Sequence, residues 1–320
     1  MTRLKLLTTT ILSLGMVMCT VESSACGTCG CSLNTEWSNQ GYSYGTGLHA
    51  DLRFDYFNQN QLREGLHKVD RSIISFPNDR EIQEKTINRN TTLTLGYSPN
   101  QSWGVEVVVP ANNRTHSTIA GGEEAVSSSE STGIGDVRVI GRYQGFSTDN
   151  SFGIEVGAKL PTGRTDDTFA SGPQAGNLID RGLQLGTGTT DLLIGAYKFG
   201  SLSPTWGYFT HALAQAALNS KDEFRPGNAL NVSAGVHYTG YTAVTPNLQI
   251  NLRAENRESG AHADIENSGA TLIYLSPGIV GNISHDFQVF AFVQVPVYQR
   301  VTGYQLEPQY LISAGLHYNL

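Results

Sequence analysis

A cysteine cluster near the N-terminus is the most distinctive chemical motif in this 320-residue chain. Cys26, Cys29 and Cys31 lie close together in the sequence, and Cys19 is the fourth cysteine. Closely spaced thiolates bind soft metal ions such as copper or zinc, and Cys26 and Cys29 have the CxxC spacing of redox-active disulfides. Three ligands leave a four-coordinate metal site incomplete, so a histidine or a partner protein would have to supply the fourth ligand.

The position of Cys26 allows two further interpretations of the cluster. A positively charged start, an apolar stretch over residues 6–18 and small residues up to Ala25 predict a secretory signal peptide over residues 1–25. Cys26 would then be the first mature residue and a candidate for lipidation, although Ser23 occupies a position that is aliphatic in lipoprotein signals. A disulfide with no further chemistry, in a segment that is a simple tether, is the remaining interpretation.

The signal peptide divides the chain into three predicted parts. These are the signal peptide (1–25), a periplasmic cysteine-containing N-terminal segment (26–45) and an outer-membrane domain (46–320). Cys19 would be removed with the signal peptide. A transmembrane helix needs ~20 consecutive apolar residues, and no later stretch approaches that length. We therefore expect an exported protein that does not cross a membrane as a helix.

Ionisable side chains recur at every second position in many segments, most clearly over residues 48–56. His49, Asp51, Arg53 and Asp55 alternate there with apolar residues. Successive side chains of a β-strand point to opposite faces, so this strand has one charged face and one apolar face. The charged face is predicted to line the lumen of a barrel, and the apolar face is predicted to contact lipid.

The same alternation in other segments extends the set of predicted lumen-lining residues. Because both signs of charge occur, the residues allow two interpretations. Opposite charges on neighbouring strands can pair as a structural network, or the charges can select the solutes that pass through a polar channel. The predicted lumen-lining residues are His49, Asp51, Arg53, Asp55, Glu106, Arg138, Arg142, Glu155, Lys159, His237, Arg253, Glu255 and His317.

About twelve candidate strands, joined by alternating short and long connections, must position these residues. Even strand numbers, short periplasmic turns and longer extracellular loops characterise bacterial outer-membrane barrels. The sequence therefore predicts an all-β fold, an antiparallel up-and-down transmembrane β-barrel. A soluble β-sandwich shows the same alternation but does not explain the loop pattern. The predicted long connections are 59–89, 112–133, 162–189, 218–228, 258–269 and 300–307, and 162–189 is long enough to fold into the mouth as a constriction.

The last two predicted strands, 286–299 and 308–320, lead to the final residue. Apolar residues alternate through the last strand from Tyr310 to Leu320. This pattern resembles the C-terminal signal that the outer-membrane barrel assembly machinery recognises, although that signal most often ends in phenylalanine. We therefore expect that machinery and outer-membrane lipid as partners.

Three glycine-rich motifs occur in the middle of the chain. They are Gly133-Ile134-Gly135-Asp136, Lys159-Leu160-Pro161-Thr162-Gly163 and Leu185-Gly186-Thr187-Gly188-Thr189-Thr190-Asp191. In this order the motifs resemble the outer-membrane family named for the MetA pathway of phenol degradation. The resemblance implies an outer-membrane β-barrel with a role in the uptake of hydrophobic or aromatic compounds. Taken alone, Asp136 and Asp191 follow glycine-rich turns and have the side chains that cap turns.

Composition and motifs argue against several function classes. A net charge of −7 argues against nucleic acid as a partner, and the sequence contains no HExxH or P-loop motif. We therefore expect a non-enzymatic channel or transporter for small solutes, without a cofactor, in the bacterial outer membrane. One alternative is an envelope metal- or redox-associated protein that uses the cysteine cluster and is anchored by the barrel, and the other is an outer-membrane hydrolase.

Overall fold

The computed structural model describes residues 33, 35, 40, 41 and 46–320. In this part the chain forms thirteen β-strands and two short 3-10 helices, Arg71–Ile73 and Arg181–Leu183, with no α-helix. The strands are β1 (Gly47–Gly65), β2 (His67–Lys68), β3 (Ile82–Ser98), β4 (Trp103–Ile119), β5 (Ser127–Ile134), β6 (Arg138–Tyr143), β7 (Phe152–Lys159), β8 (Asp191–Ser203), β9 (Trp206–Ala217), β10 (Ala229–Tyr238), β11 (Val244–Glu255), β12 (Ala270–Asn282) and β13 (Phe287–Asn319).

Eleven of these strands form a closed antiparallel barrel. They follow the order β1, β3, β4 and β6 to β13, and β13 pairs with β1 to close the sheet. The two other strands lie outside this path, since β2 pairs with β1 and β5 pairs with β4. The prediction of an all-β, antiparallel barrel is thereby confirmed, and its strand number is close to the predicted twelve.

Strand β13 accounts for the difference in strand number. It contains both of the predicted strands 286–299 and 308–320. Its first part pairs with β12, up to Val301, and its second part pairs with β1, from Val301 to Asn319. Because β12 and β1 run in opposite directions and β13 is antiparallel to both, the chain reverses within β13. Gly303, which has a φ of 61°, lies at this reversal.

The connections alternate between a short-turn end and a long-loop end of the barrel. The short-turn end carries the connections 99–102, 144–151, 204–205, 239–243 and 283–286, and the long-loop end carries 120–126, 160–190, 218–228 and 256–269. Three of the predicted long loops, 59–89, 112–133 and 300–307, are wrong in extent, because β1, β3, β4 and β5 continue into the first two and β13 runs through the third. Outward-facing residues such as Lys85 and Arg89 are polar there, so the backbone pairing continues without the apolar alternation that predicts a strand.

The two faces of the barrel wall differ in polarity as the alternation predicts. On β1, Leu48 is 54% exposed on the outside, whereas His49 is 4% exposed on the inside. Leu52 and Phe54 continue the exposed apolar face, and Asp55 is buried. No helix among the described residues is long and apolar enough to span a membrane.

Candidate functional site

The barrel encloses an internal cavity of about 330 Å³. Inward-facing side chains of β1, β3, β4, β6, β7, β9, β10, β11 and β13 form its wall. Residues 181–187, which belong to the connection between β7 and β8, also line the cavity. So do Leu33 and Thr35, which precede the first strand. Phe224, Pro226 and Gly227 from the β9–β10 connection and Glu258 from the β11–β12 connection also contribute to the lining.

Nine of the thirteen predicted lumen-lining residues line this cavity. These nine are His49, Asp51, Arg53, Asp55, Glu106, Arg138, Lys159, Arg253 and Glu255. The other four, Arg142, Glu155, His237 and His317, are buried on the inner side of the wall and do not line the cavity.

Several of the predicted charges pair with a neighbour on the same strand. Arg53 Nε donates to Asp55 Oδ2 at 2.9 Å, and Arg253 Nε donates to Glu255 Oε2 at 3.0 Å. Residues two apart on a strand share a face, so these pairs follow from the sequence spacing alone. The arrangement places a carboxylate beside each of these two arginines.

Other predicted residues meet partners on different strands of the barrel. His317 Nδ1 on β13 lies 2.6 Å from Asp51 Oδ1 on β1, and His49 Nε2 lies 3.8 Å from Glu106 Oε1 on β4. The His49 and His317 rings are 5.9 Å apart. Sequence separations of up to 266 residues divide these partners, so the alternation predicts that each residue faces inward but not which residue it meets.

Residues from all three glycine-rich motifs form one buried network around Asp136. Asp136 lies between β5 and β6, and its Oδ2 accepts hydrogen bonds from Lys159 Nζ at 2.7 Å and from the Thr187 backbone at 3.0 Å. Its Oδ1 accepts one from the Gly163 backbone at 3.0 Å. Asp136 thus caps backbone N–H groups, as the turn-cap interpretation predicts, and it also binds the Lys159 ammonium group.

Lys159 connects this network to the start of β8. Its Nζ lies 3.3 Å from Asp191 Oδ2 and donates to the Thr189 carbonyl at 3.1 Å. Asp191 Oδ1 accepts a further hydrogen bond from Thr189 Oγ1 at 2.7 Å. The Lys159 ammonium group therefore connects the end of β7 to the start of β8 through Asp191, and to the segment between β5 and β6 through Asp136.

Residues 160–190 are here called the inner loop, and the last part of this loop folds into the barrel, as predicted for 162–189, whereas residues 170–178 are mostly exposed. Arg114 Nη1 on β4 donates to the Leu183 carbonyl at 2.6 Å. Leu183 packs with Phe169 and Ile179 in a buried cluster of the loop itself. Arg181 is buried, and its side chain lines the cavity. The inner loop therefore narrows the lumen from the long-loop end.

The N-terminal residues inside the barrel were not predicted from the sequence. Thr35 Oγ1 accepts a hydrogen bond from Arg53 Nη1 at 2.7 Å, and Leu33 packs against the inner wall. Gln40 is fully buried. The segment has neither apolar alternation nor helical periodicity, so no sequence signal assigns it to the lumen. Of the predicted segment 26–45, these residues and Gly41 are described. Cys26, Cys29 and Cys31 lie outside the described residues, and their metal or redox role stays a prediction.

Three carboxyl groups from three different connections meet at the long-loop end. Ligand oxygens of Glu81, Asp180 and Asp264 lie within 4.8 Å of one another. Burial, followed by the Asp180 charge, raises the pKa of Glu81 to about 8. Burial, followed by the Asp264 charge, raises the pKa of Asp180 to about 6. At neutral pH Glu81 therefore holds a proton that a free carboxyl group would have lost.

Comparison with known proteins identifies the fold. No family model and no curated protein matches the chain. Among solved structures, the COG4313 outer membrane channel from Pseudomonas putida F1 has a TM-score of 0.63 and 12% identity, over 86% of this chain and 96% of that chain. The CymD monoaromatic hydrocarbon channel has a TM-score of 0.48 and 9% identity over 94% and 98%, and the NanC porin 0.44 and 11% over 85% and 100%.

The chain is a β-barrel of the bacterial outer membrane. Closure of the sheet pairs each of the eleven barrel strands with two neighbours, and the outer face of the barrel is apolar, as a barrel in lipid requires. The predicted location in the outer membrane is thereby confirmed. At 12% identity the likeness to the Pseudomonas channel is a likeness of fold. The resemblance of the three glycine-rich motifs to one named family stays a prediction.

Proposed function

We propose that this protein is an outer-membrane channel for small solutes, including hydrophobic or aromatic compounds. The observation that carries the proposal is the internal cavity of about 330 Å³, which is enclosed by the barrel wall and by the inner loop. Ligand sites of small molecules fall in this range of volume. The fold likeness to an outer-membrane channel supports the same proposal.

The charges around the cavity favour a solute of low net charge. The lining carries equal numbers of carboxylates and of lysine or arginine side chains, so it offers no ring of one sign that would select an ion. Phe57, Leu213 and Phe290 add apolar surface to the lining. The carboxylates are Asp51, Asp55, Glu106, Asp136, Glu255 and Glu258, and the cations are Arg53, Arg114, Arg138, Lys159, Arg181 and Arg253.

The proposal also includes the lumen-lining residues, the domain boundaries and the assembly signal that the sequence predicts. The thirteen inward residues form the polar lining and support of the lumen, residues 46–320 form the membrane domain, and the last strand is the segment that the barrel assembly machinery recognises. We propose no enzymatic role. His211 Nε2 bonds Glu155 at 2.9 Å and His317 bonds Asp51, so both rings are held by carboxylates in the wall.

Solute flux through the purified protein tests the channel function. In planar bilayers and in a liposome-swelling assay, we expect a small conductance and flux of small neutral solutes. Asn231→Trp places a large side chain into the cavity and should reduce both. Leu230→Trp is the matched control, because Leu230 is the adjacent, lipid-facing residue of β10. A correctly folded barrel with no flux of any solute would overturn the proposal.

A further inference from the structure

One part of the inner wall is apolar in a lumen that is otherwise mostly polar. Val280 on β12 and Phe290 and Phe292 on β13 face inward near the short-turn end, and all three are buried. The two phenylalanine rings lie 6.2 Å apart. Another buried apolar cluster, Ile140, Leu193 and Leu213, lies elsewhere on the inner wall, whereas the cluster of Val280, Phe290 and Phe292, here called the apolar seat, is the one that Leu33 joins.

Two glycines give the phenylalanine rings their space. A methyl group at Gly278 would overlap the Phe292 ring, and one at Gly315 would overlap the Phe290 ring. Both glycines face inward. Gly278 lies on β12, and Gly315 lies on the second part of β13, the part that pairs with β1. Glycine permits close approach of a neighbouring group to the backbone. The seat is therefore built from residues of β12 and of both parts of β13.

Leu33 covers this seat from the lumen side. It packs with Val280, Phe290 and Phe292 in one buried cluster. Leu33 and Phe290 also line the main cavity, so the seat is continuous with the space proposed for the solute. Leu33 belongs to no strand, and its neighbour Thr35 bonds the Arg53 side chain rather than the sheet backbone.

We propose that Val280, Phe290 and Phe292 bind the apolar part of a small solute, and that Leu33 fills this seat when no solute is present. The inference rests on the proposed channel function and assigns a specificity site within it. Leu33 shows that an apolar group of its size is accepted there. An aromatic ring buries a comparable apolar surface and gains edge-to-face contacts with the phenylalanines. Leu33 and the solute would exclude each other.

This competition has a measurable consequence for affinity. A solute can bind only in the fraction of molecules in which Leu33 has left the seat. Its apparent dissociation constant is therefore the intrinsic dissociation constant divided by that fraction. Shortening Leu33 to alanine empties the seat while leaving its wall intact. Replacing a phenylalanine removes part of the wall itself. The two changes should therefore shift solute affinity in opposite directions.

Block of single-channel current by benzyl alcohol tests the inference, with erythritol as a polar solute of the same number of non-hydrogen atoms. We expect Leu33→Ala to lower the half-blocking concentration of benzyl alcohol by at least about fivefold and to leave the effect of erythritol unchanged. Phe290→Leu and Phe292→Leu keep an apolar side chain, which protects folding, and should raise the half-blocking concentration of benzyl alcohol. Leu48→Ala, on the lipid face of β1, is the matched control for a leucine truncation.

The outcomes separate this inference from the channel proposal. If the channel conducts and Leu33→Ala leaves the benzyl alcohol block unchanged, Leu33 is not a competitor and the inference fails while the channel stands. If the phenylalanine variants leave the block unchanged, the seat is not the binding site. If every variant is folded, as judged by its heat-dependent electrophoretic mobility, and none conducts, the channel proposal itself is overturned.

Discussion

Replacing Asp136 by asparagine should release the inner loop from the barrel wall. The Asp136 carboxylate accepts hydrogen bonds from the Gly163 and Thr187 backbones and from Lys159 Nζ. An asparagine carbonyl could keep the bond at Gly163, but its amide group has no acceptor for the Thr187 or Lys159 donors. The change therefore removes the Thr187 contact between the inner loop and the gap between β5 and β6 and the Lys159 contact of the same network, while the Thr162 bonds at this gap remain.

The structure sets the size of this effect. The Lys159 and Asp136 side chains are 5% and 7% exposed, and breaking a buried ion pair by removing one partner costs about 3–5 kcal/mol. Asp191 still lies 3.3 Å from Lys159 Nζ and keeps the cation partly neutralised, so we expect the lower end of this range, about 3 kcal/mol. At 1.36 kcal/mol for each factor of ten, the open fraction of the inner loop should rise by up to roughly 150-fold, the upper limit that applies if the whole cost falls on the closed loop.

Limited trypsin digestion of the protein in lipid vesicles measures this opening. Arg181 is buried in the closed inner loop, so cleavage after Arg181 reports release of the loop, and we expect it to accelerate strongly in Asp136→Asn. Asp149→Asn is the control, because the Asp149 carboxylate lies in an exposed short turn and bonds Ser147 and Ser151. Equal cleavage rates in the wild type and in Asp136→Asn would show that the network does not hold the inner loop, and the reasoning would be refuted.

Two further predictions concern the mouth and the lipid face. Burial and neighbouring carboxylates raise the pKa of Glu81 to about 8, so its protonated form stabilises the closed loops. That stabilisation is complete below pH about 4.5, the ordinary carboxyl range, and is lost as the pH rises through about 8. Conductance of the wild type should therefore increase as the pH rises through this range, and conductance of Glu81→Gln should change less. Identical pH profiles of the wild type and Glu81→Gln would contradict the reasoning. Ile250→Arg, on the lipid face of β11, should destabilise the barrel by about 2–4 kcal/mol if Ile250 lies near the bilayer midplane. Urea unfolding from vesicles measures this loss of unfolding free energy. Gln249→Arg, on the inner face, is the comparison variant that tests whether contact with lipid causes the loss.

Much of the fold could be predicted from the sequence because the information is local. Strand periodicity needs only the residues of one strand, so His49 and Asp55 could be assigned to the inner face and Leu48 to the outer face without a partner strand. The pairing of Arg53 with Asp55 also follows from two positions on one strand. The extensions of β3 and β4 could not be predicted in this way, because their outward residues beyond the lipid are polar and carry no alternation.

The sequence by itself determined which side chains face lipid and which face the lumen, since a strand of period two sorts its residues without reference to the rest of the chain. The tertiary structure alone decided what the lumen contains. It placed the inner loop and Leu33 inside the barrel, joined Asp136 to Thr187, and brought Glu81, Asp180 and Asp264 together. These contacts join residues far apart in the chain, and closing the barrel creates the enclosed volume in which they become favourable.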